Sequence, residues 1–306
     1  MYLAIFPAYK IDHLINETGI NKVYSENTVL NHLNCPNPLL DLSTPQVMGI
    51  LNVTPDSFSD GGKFTHFEHA LEQVERMITD GATIIDIGGE STRPGAAEVS
   101  EADELARVIP VLKAIKQRFD ILISIDTSKA SVMSAAIAAG ADIINDVRAL
   151  QNDGCLAAVA NSKIPVCLMH MQGLPSTMQN KPSYENVIYD IMVFFQQRIK
   201  ACVSAGIARE RIILDPGFGF GKTLAQNLNL LANLSVFREL GLPILAGLSR
   251  KSMIGNLLNR DVEQRLAGSL STAILAAQQG AHIIRVHDVQ ETVDVLKVLK
   301  AVTAHR

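Results

Sequence analysis

Eight apolar, β-branched runs recur along residues 47–287, and nearly every run stops at side chains that can bind or react. The first three runs cover residues 47–53, 83–89 and 121–125, and the other five end at Asn145-Asp146, His170, Asp215, Ser249-Arg250-Lys251-Ser252 and Arg285-Val286-His287. Parallel strands that are buried on both faces have this composition. Active sites of (β/α)₈ barrels are built at the C-terminal ends of the strands. The pattern therefore predicts a (β/α)₈ TIM barrel and locates its site.

Amphipathic stretches separate the runs and predict helices. Apolar residues recur at helical spacing in residues 67–80, and Ser100 opens a capping box for a helix through Arg118. Further helices are predicted over residues 128–139, 154–161, 184–205, 225–240, 262–279 and 289–302. Parallel strands need such crossover connections. An open doubly wound sheet is the rival fold, but it does not require eight units with reactive residues at nearly every strand end.

Composition narrows the class of ligand and the compartment. The chain has 306 residues, of which 47% are hydrophobic, and its formal net charge is −4. The Lys and Arg side chains that could bind a ligand lie at the ends of the predicted strands. This placement suits one small anionic ligand better than nucleic acid. The four cysteines lack C-x-x-C spacing, and Cys167 lies in an apolar run that is typical of core packing. No signal or membrane segment is visible, so we expect a cytoplasmic protein.

Residues 1–40 do not join the repeat. They are rich in Asn and carry a mixed pattern, so we interpret them as an N-terminal extension of unknown role before a barrel domain at residues 41–306. A helix is expected around residues 10–17, and the extension is expected to pack loosely or to cover the bottom of the barrel. Residues 41–43 are expected to form a short strand outside the barrel.

Three polar side chains lie at the ends of the third, fourth and sixth runs: Asp126, Asn145 and Asp215. Their strands direct them toward the barrel mouth. A buried carboxylate needs a hydrogen-bonding partner or its pKa shifts. An aminopyrimidinone would supply such partners through its amine and its ring N–H groups, and Asn145 offers both a donor and an acceptor. The alternative for Asp126 is a helix cap.

The loops after the first two strands, residues 54–62 and 90–96, are rich in Gly, Pro, Ser and Asp. Such loops at a catalytic face can act as lids, although ordinary surface loops have the same composition. Thr92 and Arg93 favour a functional loop, because both can bind an anion at a strand end.

Residues 215–223 resemble a P-loop only at first sight, since Pro216 stands where that motif needs glycine. We interpret the segment as a mobile loop that presents Phe220 for stacking. Residues 249–252 and 285–287 follow strands seven and eight, where barrel enzymes often bind phosphate. The alternatives are that Arg250 pairs with a helix carboxylate and that His287 is structural. His170 has a similar position and a less certain role.

Two long segments, residues 48–62 and 86–95, resemble signatures of the dihydropteroate synthases, a family of pterin-binding barrels. Shorter segments continue the resemblance in order at residues 124–127, 144–147, 168–173, 215–222, 247–252 and 285–289. The match covers about residues 40–306, and only the N-terminal extension is atypical.

The resemblance implies that 6-hydroxymethyl-7,8-dihydropterin pyrophosphate and 4-aminobenzoate condense to 7,8-dihydropteroate, with release of pyrophosphate. The expected catalytic residues are Asp126, Asp215, Lys251, Arg285 and His287. The expected pterin site comprises Asp126, Asn145, Met169, Asp215 and Lys251. The expected pyrophosphate site comprises Asn52, Thr92, Arg93, Arg285 and His287, with Mg²⁺ on Asn52. The expected 4-aminobenzoate site comprises Phe58, Thr92, Arg93, Pro94, Phe220, Lys251 and Ser252.

The resemblance also implies a homodimer through the last helices and a target for sulfonamides, which mimic 4-aminobenzoate. Two other functions would use the same pterin pocket. A methyltetrahydrofolate-dependent methyltransferase would use the pterin pocket without the anion site of strands seven and eight. A non-catalytic pterin-binding paralogue would be expected to lose loop residues such as Asp56 or Arg93, and both are present. Turnover of dihydropterin pyrophosphate separates the three.

Overall fold

The structure, a computed structural model, describes residues 32–33, 35, 40–53, 63–91, 98–173, 178 and 182–305. The helix expected around residues 10–17 lies outside these ranges, as does the loop at residues 54–62. In the part of the chain that is described, every helix is too short or too polar to cross a membrane.

A parallel eight-stranded sheet closes on itself, which confirms the predicted barrel. Its strands, β3 to β10, are Gln46–Asn52, Ile84–Gly88, Leu122–Asp126, Ile143–Asp146, Val166–Met169, Ile212–Asp215, Leu245–Ala246 and Ile283–Val286. The order is β8-β7-β6-β5-β4-β3-β10-β9. A parallel bridge between Leu214 and Ile244 joins the two ends of this order and closes the barrel.

Helices surround the barrel between successive strands. The α-helices, α1 to α9, are Lys63–Thr79, Glu101–Arg118, Ala130–Ala138, Cys155–Ala160, Val187–Ser204, Leu224–Ala232, Ser252–Leu258, Leu266–Gln278 and Val289–Thr303. Most match the predicted stretches to within a few residues. Ser100 accepts a hydrogen bond from the Asp103 backbone N–H and caps α2, as the capping box predicted.

Two predicted helices are wrong in their extent. Residues 225–240 divide into α6 and the 3₁₀ helix Leu234–Leu240, and residues 262–279 divide into the 3₁₀ helix Val262–Gln264 and α8. In the second case Arg265 leaves helical geometry, and its side chain turns back toward earlier backbone carbonyls. Apolar periodicity alone does not register such breaks, because the same face stays buried on both sides of them.

The apolar residues form two separate cores. The larger one lies between the barrel and its helices, where Phe195 packs edge-on against Phe237 at 5.7 Å between ring centroids. The smaller one fills the lower barrel interior with one residue from each strand: Met48, Ile84, Leu122, Ile143, Cys167, Ile213, Leu245 and Ile283. Cys167 is therefore core packing, as expected from its sequence context.

A short antiparallel hairpin covers the bottom of the barrel. Its strands are β1, His32–Leu33, and β2, Leu40–Asp41. Leu33 and Leu40 are buried together with Leu42 against the lower layer of the interior. The described part of the extension thus packs tightly under the barrel rather than loosely. The strand expected at residues 41–43 is β2, which covers Leu40–Asp41 and so begins one residue earlier and ends two residues earlier.

Candidate active site at the carboxyl ends of the strands

The polar site follows from the two-residue repeat of the barrel strands. Successive side chains of a strand point to opposite faces, so the residue two places after an inward-facing one also faces inward. Above the apolar lower layer, this rule gives three residues without polar side chains, Ile50, Met169 and Gly247, and the residues Asp86, Ser124, Asn145, Asp215 and Arg285. All but Arg285 are buried. The barrel interior therefore changes from apolar to charged within one repeat, at the end where sites of this fold occur.

Arg285 lies at the centre of this layer between two carboxylates. Its Nε donates to Asp86 at 2.6 Å, and a terminal nitrogen donates to Asp126 at 3.0 Å. Burial opposes its charge, but Asp86 and Asp126 raise the pKa of Arg285. Burial raises the pKa of Asp126 to about 8, with Arg285 acting against the shift and Asp86 adding to it. Asp126 is thus an ion-pair residue and not a helix cap, since the cap position of α3 is Lys129.

Asp86 was missed by sequence reasoning. It is fully buried, and its Oδ2 also accepts a hydrogen bond from the Asn145 side-chain amide at 3.1 Å. Among the described residues, its Oδ1 has no hydrogen-bonding partner, and neither has the buried Ser124 Oγ. The available signal was a lone acid inside an apolar strand, at the inward-facing position between Ile84 and Gly88.

Asp215 and Lys251 face each other on the other side of the interior. Asp215 accepts a hydrogen bond from the Gly217 backbone N–H at 2.8 Å, and burial raises its pKa against the opposing effect of Lys251. Lys251 donates to the Phe218 carbonyl, and its Nζ lies 4.6 Å from the centre of the Phe220 ring. Burial lowers the pKa of Lys251 to about 8, while Asp215 acts to raise it. The pair offers an acceptor and a donor beside an aromatic ring.

The loop after β8, which the sequence predicts to be mobile, is anchored by a buried lysine. Lys222 is 3% exposed and donates to the carbonyls of Gly217 at 2.8 Å and Phe220 at 3.0 Å. A Cβ at Gly217 would lie 1.9 Å from the His170 carbonyl oxygen, and φ there is +70°. The glycines thus permit close approach and positive φ. They hold Phe220 at the site instead of freeing it.

His170 supports this loop from below. Its Nδ1 lies 3.1 Å from Lys222 Nζ, and its ring meets Phe194 edge-on at 4.9 Å between ring centroids. Burial, with the nearby Lys222 charge, lowers the pKa of His170 to about 2. His170 is thus a neutral, packed imidazole, and these contacts favour a structural role for it.

The strand ends β3, β9 and β10 complete the mouth. His287 Nδ1 lies 3.0 Å from Ser249 Oγ, which also accepts a hydrogen bond from the His287 backbone N–H at 3.2 Å. Asn52 is half-buried at the end of β3, and a Cβ at Gly88 would lie 3.8 Å from its Oδ1 and 3.9 Å from Asp126 Oδ2. The absence of a side chain at Gly88 thus leaves Asn52 and Asp126 facing one mouth.

The remaining predicted residues lie partly in the site, partly away from it and partly outside the described residues. Met169 is buried in the interior layer, and Ser252 is exposed at the start of α7. Arg250 turns away from the site, and its Nε donates to Asp288 at 3.0 Å, which was the alternative stated for it. Phe58, Thr92, Arg93 and Pro94 lie outside the described residues.

Ion pairs and a backbone hydrogen bond hold the two ends of the loop after β4. Glu90 and Glu104 both pair with Lys129, at 2.5 and 2.6 Å. The other oxygen of Glu90 accepts a hydrogen bond from the Val99 backbone N–H at 3.0 Å. Both flanks of residues 92–97 are therefore attached to the loop that follows Asp126. The described residues contain no group of three His, Cys, Asp or Glu side chains suited to hold a metal ion.

Comparison with known proteins identifies the family of the chain. A family model described as pterin binding enzyme matches residues 48–287. Dihydropteroate synthase of Haemophilus influenzae is 57% identical over 265 residues, which is 87% of this chain and 96% of that relative.

Solved structures give the same result. A Yersinia pestis dihydropteroate synthase with a sulfonamide drug complex superposes with a TM-score of 0.86 at 57% identity, covering 89% of this chain and 99% of that one. A Xanthomonas albilineans dihydropteroate synthase with 4-aminobenzoic acid superposes with a TM-score of 0.85 at 51% identity, covering 90% of this chain and 98% of that one.

Proposed function

Because the chain belongs to the pterin-binding enzymes and, within them, to the dihydropteroate synthases, we propose that it condenses 6-hydroxymethyl-7,8-dihydropterin pyrophosphate with 4-aminobenzoate. The products are 7,8-dihydropteroate and pyrophosphate, on the route to folate. One observation carries the proposal. A buried layer of donors and acceptors opens at the mouth of a barrel that matches, over almost its whole length, a synthase solved with 4-aminobenzoic acid.

The pterin is assigned to the interior layer. A pterin presents an amine and ring N–H groups on one edge, and an ionised carboxylate accepts hydrogen bonds and donates none. Asp126, Asn145 and Asp215 supply acceptors on that side, with Met169 as an apolar wall. Lys251, beside Asp215, supplies a donor. These side chains can recognise both the hydrogen-bonding pattern and the charge of a ligand. The set therefore favours a planar heterocycle over a sugar or a lipid.

The pyrophosphate is assigned to the mouth on the side of β3 and β10. Arg285 and His287 follow from β10, and Thr92 and Arg93 would join them from the loop after β4. Asn52 would hold Mg²⁺. A single amide oxygen suits this ion, which takes oxygen ligands and keeps several waters and substrate oxygens. When bound, Mg²⁺ would neutralise charge that develops on the leaving pyrophosphate.

The 4-aminobenzoate is assigned to the rim. Phe220 lies there beside Lys251, and Ser252 follows at the start of α7. Phe58 and Pro94 would lie against its ring from the two loops, with Thr92 and Arg93 near its carboxylate. Sulfonamides, which mimic this substrate, would occupy the same position.

The reaction is proposed to be dissociative. The bond between the exocyclic methylene carbon and the pyrophosphate oxygen breaks first, and its electron pair leaves with pyrophosphate. Arg285 and His287 stabilise the leaving group. Asp126 and Asp215 stabilise the pterin cation. The neutral arylamine then attacks the carbon and releases a proton, and closure of the two loops over the site would exclude competing water.

The surface and the cysteines support proposals for assembly and compartment. Exposed apolar side chains lie on or beside the last helices: Leu257, Leu258, Val262, Leu266, Leu275, Val298 and Val302. Such a surface suits a homodimer through these helices. Burial raises the pKa of Cys155 to about 12 and that of Cys202 to about 11, so both stay as unreactive thiols. This supports a cytoplasmic protein.

The first test is pyrophosphate release by the purified protein with dihydropterin pyrophosphate and Mg²⁺, with and without 4-aminobenzoate. We expect release that depends on 4-aminobenzoate and yields dihydropteroate. Lys251→Met should lower its rate sharply, and Lys297→Met, at a lysine with a 74% exposed side chain, should not. Pterin binding without turnover would instead indicate a non-catalytic paralogue.

A further inference from the structure

Arg250 occupies a turn position that usually requires glycine. The Lys251 backbone N–H donates to the Leu248 carbonyl at 3.2 Å, so residues 248–251 form a β-turn. Arg250 is its third residue and has φ +57°. Glycine or asparagine is the usual residue where this position has positive φ. A strained residue of this kind persists only where its surroundings over-determine its conformation.

Two helices supply those restraints. The Arg250 backbone N–H donates to Ser269 Oγ at 2.9 Å, and Arg265 donates to the Arg250 carbonyl at 3.0 Å. The Arg250 side chain reaches Asp288 at the start of α9. Both backbone groups of the strained residue are therefore held by the start of α8, and its side chain is held by the start of α9.

The Arg265 guanidinium packs against the backbone of α7 at Gly255. A Cβ at Gly255, in α7, would lie 2.3 Å from its NH2 nitrogen. Its Nε donates to the Arg260 carbonyl at 3.1 Å. Only glycine in α7 leaves room for the guanidinium to cross this helix and reach Arg250.

The restrained turn separates two parts of the site. Ser249, on one side, contacts His287, and Lys251, on the other, contacts the Phe218 carbonyl and the Phe220 ring. A change of φ at Arg250 rotates these neighbours relative to each other. The donor for the pterin and the histidine for the pyrophosphate therefore share one backbone restraint.

We propose that Arg265 is a positioning residue: it holds the strained Arg250 turn and thereby sets Lys251 and the Ser249–His287 pair in register. The inference rests on the proposed function for its assay. It assigns no substrate contact to Arg265, which acts through the backbone of Arg250.

The test is a rescue experiment. Arg265→Met keeps an unbranched side chain and removes both hydrogen bonds, and we expect kcat/KM to fall by roughly tenfold, as for the loss of a hydrogen bond from a charged donor. Arg250→Gly then relieves the strain, because glycine adopts positive φ without a steric cost. The Arg250→Gly/Arg265→Met variant should therefore return to within about twofold of Arg250→Gly alone.

Arg198→Met is the matched control. Arg198, in α5, donates to the carbonyls of Ala149 at 2.9 Å and Leu150 at 3.2 Å, two other residues with positive φ. Arg250→Gly should not rescue any loss that this variant shows. Rescue of both variants, or of neither, would overturn the inference, as would an Arg265→Met enzyme that loses only thermal stability.

A wild-type protein without turnover would count against the proposed function alone. The crystal structure of Arg265→Met would then decide the inference. We expect φ of Arg250 to leave the positive region and Lys251 to lose its contact with the Phe218 carbonyl. An unchanged turn would overturn the inference.

Discussion

Burial raises the pKa of Asp126 to about 8 and lowers the pKa of Lys251 to about 8. The proposed reaction needs Asp126 ionised and Lys251 protonated. We therefore expect kcat/KM to rise as the pH approaches 8 and to fall above it. Lys251→Gln should remove the alkaline limb from a profile of residual activity against pH. A limb of the same position in that variant would show that another group titrates there.

The charge of Asp86 helps to raise the pKa of Asp126. The Asp86→Asn substitution removes this charge with little change of shape. The pKa of Asp126 should then fall, because a neighbouring negative charge is lost and Arg285 keeps only one carboxylate partner. We expect the acid limb of kcat/KM to move to lower pH and the plateau to drop by roughly tenfold. Asp103→Asn, at an exposed acid in the first turn of α2, should leave the limb in place.

Asp126→Asn separates cation stabilisation from pyrophosphate binding. The Asp126 carboxylate is assigned to the developing pterin cation, so its loss should slow C–O bond breaking more than it weakens pyrophosphate binding. Single-turnover rates and the Kd for pyrophosphate, measured in the presence of Mg²⁺, give the two quantities. Equal losses in both would contradict the assignment.

At the scale of elements, the β1–β2 hairpin has a stabilising role under the barrel. Leu33 is fully buried against the lower interior layer, at the opposite end from the site. Leu33→Ala should lower the free energy of unfolding by about 2 to 5 kcal/mol, as for other buried leucines, and leave kcat/KM unchanged. Urea unfolding measures the first quantity.

Leu228→Ala, at a leucine of α6 that is 37% exposed, should cost much less in the same urea experiment. A change in KM for Leu33→Ala without a change in stability would contradict a purely structural hairpin. It would instead indicate that residues 1–40, whose role the sequence leaves open, communicate with the site.

At the scale of the whole molecule, the apolar surface of α8 and α9 decides the proposed assembly. Leu275 and Val298 are 48% and 64% exposed on these helices. We expect light scattering to give twice the mass of the chain, and Leu275→Asp/Val298→Asp to give the mass of one chain, because buried charges disfavour the interface. Val203→Asp, on α5, is the control. A monomeric wild-type protein would contradict the homodimer.

The barrel could be predicted from the sequence because its signals are local. Apolar runs, helical spacing and reactive residues at strand ends each depend on a few neighbouring positions. The same locality identified Asp126, Asn145, Asp215, Lys251 and Arg285, which the structure brings to one mouth. Four predicted site residues in the loops after the first two strands, Phe58, Thr92, Arg93 and Pro94, lie outside the described part of the chain and stay predictions.

Closure of the barrel determined which site residues contact each other, and the sequence did not reveal these contacts. Asp86 and Arg285 are 199 residues apart in the chain, and they meet only because β10 lies beside β3 and β3 beside β4. The choice of partner for Arg285, the anchoring of the loop after β8 by Lys222 and the restraint of Arg250 by Arg265 all depend on which backbone carbonyl or carboxylate lies within about 3 Å. Such distances follow from the packing of whole elements. The sequence thus determined which residues reach the mouth, and the tertiary structure determined which of them touch.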